Sequence, residues 1–148
     1  MQNDERVYTA CISQGIPRAL ALLITAQSKH ESANYTSSLF LDCNNSFGYK
    51  AVYGAPTCAG HTAYKSYPNI EASAIEVCNW LKRRVVDGSF PALNTINDPD
   101  TYAELLKNAG YYGDTVSNYA SGIRRWFTTN LTAISTGTIL IIGAIFFL

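Results

Sequence analysis

The sequence predicts an α+β domain, mainly helical, with one small β region and an apolar tail. Three observations lead there. Helical apolar stripes with capping residues recur before residue 32 and after residue 68. Between them the helical period disappears, and Gly48, Gly54, Pro56, Gly60 and Pro68 punctuate short aromatic runs. Leu131 to Leu148 contains no charged residue. A chain of 148 residues is long enough for a single buried core, which is assigned to residues 1–130, with 131–148 as a separate tail.

The first helix is expected over Gln2 to Ser13, stopping at Gly15. Pro17 suits the first turn of a second helix, where a missing N–H costs nothing. Along that helix Leu20, Ile24, Gln27 and Glu31 share one face at spacings of four, three and four, so the buried stripe runs into Glu31. Ser32 to Pro68 reads as a long loop with a small β-hairpin or two lying over one side of a cleft; such a stretch in a compact domain is usually functional.

After Pro68, Asn69 is an N-cap and Glu71 complements the helix start. Ile70, Ala74, Val77, Cys78, Leu81 and Val85 form the inward stripe, and Lys82, Arg83 and Arg84 suit the negative end. Asp98-Pro99 opens another helix, with Tyr102, Leu105, Leu106 and Ala109 inward and Gly110 ending it. Asp114 or Thr115 caps a last helix carrying Val116, Tyr119, Ala120, Ile123 and Phe127.

Leu131–Leu148 is credible as a single-pass membrane anchor, near the short limit for spanning a bilayer. Arg124, Arg125 and Trp126 stand before it, as at a headgroup interface. The plainer reading, a buried core helix, would leave Ile-Phe-Phe-Leu needing cover.

Eleven basic residues balance eleven acidic ones, which removes any global electrostatic case for a nucleic-acid partner. Ten tyrosines, several in loops, suit a sugar-binding cleft, because an aromatic ring stacks on a pyranose face and its hydroxyl reaches a sugar oxygen. Half-buried edges of the core would account for them equally well. Of the four cysteines, Cys78 falls on the apolar face of a helix, and both it and Cys11 are expected to be inert core thiols. Cys43 and Cys58 bracket the Phe-Gly-Tyr-Lys segment and could close a loop across it. A zinc site from Cys43, Cys58 and His61 lacks a fourth ligand and a usual spacing, so no metal and no cofactor is assigned.

Glu31 is the focus of the chemistry. A carboxylate at the mouth of an apolar face has the setting that raises its pKa and makes a proton donor at neutral pH. The alternative is a helix-end ion pair with Lys29 or Lys50. His30 is adjacent, but neighbouring helical positions diverge by about 100°, so it is expected to face elsewhere.

At these residues the chain resembles the glucosaminidase family of peptidoglycan hydrolases (glycoside hydrolase family 73). Ala26-Gln27-Ser28-Lys29-His30-Glu31-Ser32 looks like that family's helix-borne Ala-Gln-x-x-x-Glu-Ser, and Asn45-Ser46-Phe47-Gly48-Tyr49-Lys50-Ala51 resembles its Asn-x-Phe-Gly-x-Lys-Ala. Tyr64-Lys65-Ser66-Tyr67-Pro68 is similar to its Tyr-Pro-Ser helix entry. Asn108-Ala109-Gly110-Tyr111, followed by Asp114 and Tyr119-Ala120, is similar to its Ala-Gly-Tyr-x-x-Asp-x-x-Tyr-Ala. The four segments occur in the family's order over about residues 17 to 127.

The resemblance implies a lysozyme-like fold with a helical lobe, a small β-lobe and a cleft between them. It implies hydrolysis of the β-1,4 bond after N-acetylglucosamine in the bacterial wall glycan, with Glu31 as general acid and Tyr111 acting near the acetamido group. Phe47 and Gly48 match the floor of the sugar cleft, and Asn45, Tyr49, Tyr64 and Tyr119 are further substrate-binding candidates from the same motifs. His61, in the loop, is added as a possible sugar contact.

The family often has a second carboxylate in the β-lobe, whereas here no Asp or Glu occurs between Lys50 and Glu71. An inverting enzyme needs a base roughly 6.5–9.5 Å from the acid, and a retaining one a nucleophile at roughly 5 Å. Three routes are open: attack by the substrate's own acetamido oxygen with Tyr111 steering it, which is preferred; Asp42 moving in as base; or binding with poor cleavage. Alternatives in other classes are a lytic transglycosylase or muramidase, and a non-catalytic glycan-binding membrane protein. A transglycosylase would be expected to show a Gly-Leu-Met-Gln-type segment after the acid, which this chain lacks.

Met1 to Arg6 is polar and no apolar leader follows, so no signal peptide is expected. With Arg124 and Arg125 before the anchor, the positive-inside rule leaves the domain in the cytoplasm, across the membrane from its substrate. That arrangement suits a bacteriophage protein in a virion membrane or the host inner membrane.

Overall fold

The computed structural model describes residues 1–128. It is an α+β arrangement, mainly helical with a two-stranded sheet. The predicted tail anchor, Leu131–Leu148, lies outside the described residues. Among the described residues no helix is long and apolar enough to cross a membrane.

Helix α1 spans Asn3–Ser13, one residue later than expected, because Gln2 forms its capping box with Glu5. Helix α2 spans Arg18–Glu31, and the carbonyl of Pro17 accepts from Ala21 N. Every residue of α2 from Leu20 to Ser28 is buried, so this helix is the axis of the core. α1 packs on it and on α4 (Ile70–Val86), which Asn69 caps by accepting from Ala72 N. Of the predicted α4 stripe, Ile70, Ala74, Val77, Cys78 and Leu81 are buried, and Val85 is half-buried against the core.

The segment 32–68 departs from expectation in one respect. It contains a short helix, α3 (Ser38–Cys43), started by the Ser37 side chain accepting from Phe40 N. Six residues are too few to show a 3.6-residue period, but Ser37 before an apolar run was a legible start signal. A single hairpin follows, β1 (Thr57–Cys58) antiparallel to β2 (His61–Lys65). Lys50 bridges to Tyr64, and Ala51 N and Lys65 N bond across to Ala63 O and Tyr49 O, which ties the Phe47–Ala51 segment to the ribbon.

Helix α5 spans Pro99–Asn108, with Asp98 accepting from Thr101 N. The final helical stretch, residues 116–128 (α6), is capped by Thr115 accepting from Asn118 N. Tyr102, Leu106, Tyr119, Ala120 and Ile123 close the core over α2.

Candidate active site

The buried stripe of α2 ends at Glu31, and the helix stops there, so the carboxylate emerges from apolar surroundings into a cleft of about 470 Å³. One wall is Phe47, Gly48, Tyr49 and Lys50 from the segment after α3. The other is Gly110, Tyr111, Tyr112 and Gly113 from the turn that follows α5. Gly48 has φ +67°, a conformation open to glycine at little cost, and its α-carbon faces Glu31: a Cβ there would lie 3.9 Å from Glu31 Oε2.

Burial pushes the Glu31 carboxyl above the usual range, because the charged form loses solvation. The Tyr119 hydroxyl donates to Glu31 Oε1 at 2.5 Å and opposes that shift by favouring the charged form. The raised direction prevails, which keeps a proton on the group at higher pH than an exposed glutamate would. Neither lysine proposed as its ion-pair partner takes that role: Lys29 bonds Asp4 Oδ2 at 3.3 Å, and Lys50 lines the same cleft without an ion pair to Glu31.

Tyr111 donates its hydroxyl to the carbonyl of Phe47 at 2.8 Å, joining the two walls. Its ring meets those of Tyr49 and Trp80 edge-on, with centroids 5.9 and 5.7 Å away. Burial and the nearby Glu31 charge raise its pKa, so it stays a phenol.

The structure redistributes the remaining candidates. Phe47, Gly48 and Tyr49 line the cleft. Asn45 does not: it is 1% exposed, and its amide donates to the Tyr49 and Lys65 carbonyls and accepts from Tyr49 N. It fixes the wall instead of contacting sugar. Tyr119 is 4% exposed and its ring stacks on Tyr112 at 3.7 Å, so it sits beneath the cleft holding Glu31. Tyr64 bridges Lys50 outside the lining. His61 and Asp42 pair with each other at 3.6 Å, and neither lines the cleft. Among the described residues Glu31 is the only carboxylate that lines it.

Cys43 and Cys58 are joined in a disulfide, which takes both sulfurs from the zinc grouping and ties α3 to β1 behind the cleft wall. Cys11 and Cys78 are buried thiols, as expected.

One contact was missed in the sequence. His30 faces away from the cleft but packs edge-on against Tyr119, with centroids 5.2 Å apart. Burial lowers its pKa and Asp114 partly offsets this. The space for its ring exists because residue 122 is glycine: a Cβ there would lie 2.2 to 2.9 Å from three His30 ring atoms. A glycine inside the apolar period of α6 was the available signal.

The glucosaminidase family model, described as mannosyl-glycoprotein endo-beta-N-acetylglucosaminidase, matches residues 9–132. No curated protein and no solved structure matches the chain significantly.

Proposed function

Because the chain belongs to the glucosaminidase family, we propose that it is a peptidoglycan hydrolase of the endo-β-N-acetylglucosaminidase type, with Glu31 as general acid. The observation that supports this most is the Glu31 carboxyl itself, its pKa raised by burial at the edge of a cleft walled by tyrosines. The helical body with a small ribbon over one side of the cleft fits a lysozyme-like arrangement.

A lone carboxylate suits substrate-assisted cleavage. The acetamido carbonyl oxygen attacks C1 while the bond to the leaving oxygen breaks and Glu31 gives that oxygen its proton. Glu31, now charged, takes a proton from the water that opens the cyclic intermediate. The Tyr111 proton is committed to the Phe47 carbonyl, so its lone pairs remain for the substrate and match the acetamido N–H. Asp42 would have to leave His61 to serve as base.

A lone acid also fits a lytic transglycosylase, and the product end decides between them. Incubation with purified sacculi should release reducing-end N-acetylglucosamine; an anhydro-muramyl end would replace the hydrolase reading, and intact glycan would leave a binding protein. Glu31→Gln should lower kcat by ~10²–10⁴, the usual worth of a positioned acid; full activity in that variant would remove Glu31 from the mechanism.

The family match ends at residue 132, beside the start of the apolar tail. We take 1–130 as the catalytic unit and Leu131–Leu148 as a membrane anchor, in a virion or host inner membrane. This part rests on the sequence of the tail. Flotation of the full chain with lipid vesicles, lost on deleting 131–148, tests the anchor, and detection in purified virions tests the location.

A further inference from the structure

Two thiols that the proposed chemistry does not use lie against each other in the core. Cys11 on α1 and Cys78 on α4 are both 0% exposed, and the Cys78 thiol donates to Cys11 Sγ at 3.4 Å. Their helices are already docked by a bidentate ion pair, Arg6 to Glu71 at 2.6 and 2.8 Å, one turn and two turns away respectively. The two sulfurs therefore face each other across a fixed helix–helix contact. A disulfide needs them at about 2.05 Å, an approach of little more than an ångström from their observed separation.

We propose that Cys11 and Cys78 are a second disulfide site, closed by exchange with a small-molecule disulfide such as oxidised glutathione as α1 docks on α4. One cysteine, as thiolate, attacks a glutathione sulfur and releases one glutathione thiolate. The other thiolate then attacks the protein sulfur of that mixed disulfide and releases the second. The two cysteine protons end on the two departing glutathiones, so one disulfide is reduced as one is formed.

Burial sets the timing. With both sulfurs inaccessible in the folded chain, exchange has to occur while α1 is still undocked. A chain folded under reducing conditions keeps the thiols, and one folded under oxidising conditions keeps the bridge. The bridge would pin α1 to the helix whose first turn holds Ser73, and Ser73 Oγ bonds Ser46 Oγ beside the cleft at 3.0 Å.

The test is refolding of the reduced, denatured full chain in a glutathione redox buffer, followed by digestion without reduction and mass mapping. A Cys11–Cys78-linked peptide should appear as the main product beside Cys43–Cys58. The same map on full chain expressed in a host with an oxidising cytoplasm should give the same pairing and requires no refolding. In the Cys43→Ser, Cys58→Ser background, closing the bridge should raise Tm by on the order of ten degrees. The proposal is overturned if Cys11 and Cys78 stay as free thiols while Cys43–Cys58 closes. It is equally overturned if either appears mainly in crossed pairings or as a stable glutathione adduct.

Discussion

Tyr119 on α6 donates its hydroxyl to Oε1 of Glu31 on α2, 88 residues earlier in the chain. The ring behind that hydroxyl is held by Tyr112 on one side and His30 on another. The position of the carboxyl is thus set by a group that never reaches the cleft.

Tyr119→Phe removes a hydrogen bond that favours the charged form of Glu31. Its pKa should therefore rise, and the basic limb of the pH–activity profile should move to higher pH. Stability should fall by ~1–2 kcal/mol. A pH profile that falls in height without moving would mean that Tyr119 acts only through folding.

Glu31 also makes stability depend on pH. Its folded-state pKa lies above the unfolded value because of burial. Its contribution is therefore fully present below the unfolded pKa and is lost as pH rises through the folded one. Glu31→Gln keeps an acceptor for Tyr119 without the charge. Urea titrations should show the variant gaining on the parent chain from mildly acidic pH upward, with the relative gain absent in acid. A constant offset across that range would contradict a raised Glu31 pKa.

Gly122→Ala should cost ~1–3 kcal/mol, because the added methyl enters the space of the His30 ring. Truncating that ring should relieve the clash. His30→Ala combined with Gly122→Ala should be more stable than the sum of the two single losses, and thermal melts of the four chains form the cycle that measures it. Additive losses would place the clash elsewhere.

Cys43→Ser with Cys58→Ser opens the link between α3 and β1. Closing a loop of 15 residues is worth ~3 kcal/mol by chain entropy. The loss should appear as a lower Tm together with a raised KM, because the freed segment leads directly into Phe47–Lys50. An unchanged KM would show that Asn45 alone suffices to hold that wall.

The helical frame was readable because its signals are local. Asn69 and Asp98 cap where the sequence places them, and the Leu20, Ile24, Gln27, Glu31 face runs from core to cleft as its spacing requires. The roles within the site were less readable, because side-chain direction depends on distant partners. Asn45 and Tyr119 sit in motif segments that form the site, yet both turn inward, one to satisfy three backbone groups and the other to meet Glu31. Asp42 and His61 are near in space to each other, and a separation of 19 residues gives no hint of that pairing. α3 escaped periodicity because it is shorter than two turns.

The Asn45 clamp makes the ribbon modular. Its three hydrogen bonds hold the Phe47–Ala51 segment to the ribbon at Tyr49 and Lys65, while Val52 and Tyr53, in the turn between that segment and β1, are exposed. Geometry at Glu31 is therefore insulated from whatever happens beyond the Lys50–Tyr64 bridge. For protein engineering, that turn is a graft point. A wall-targeting peptide or a reporter inserted between Tyr53 and Ala55 would lengthen that turn without disturbing Glu31, which makes this small domain a chassis whose address can be rewritten apart from its cleft.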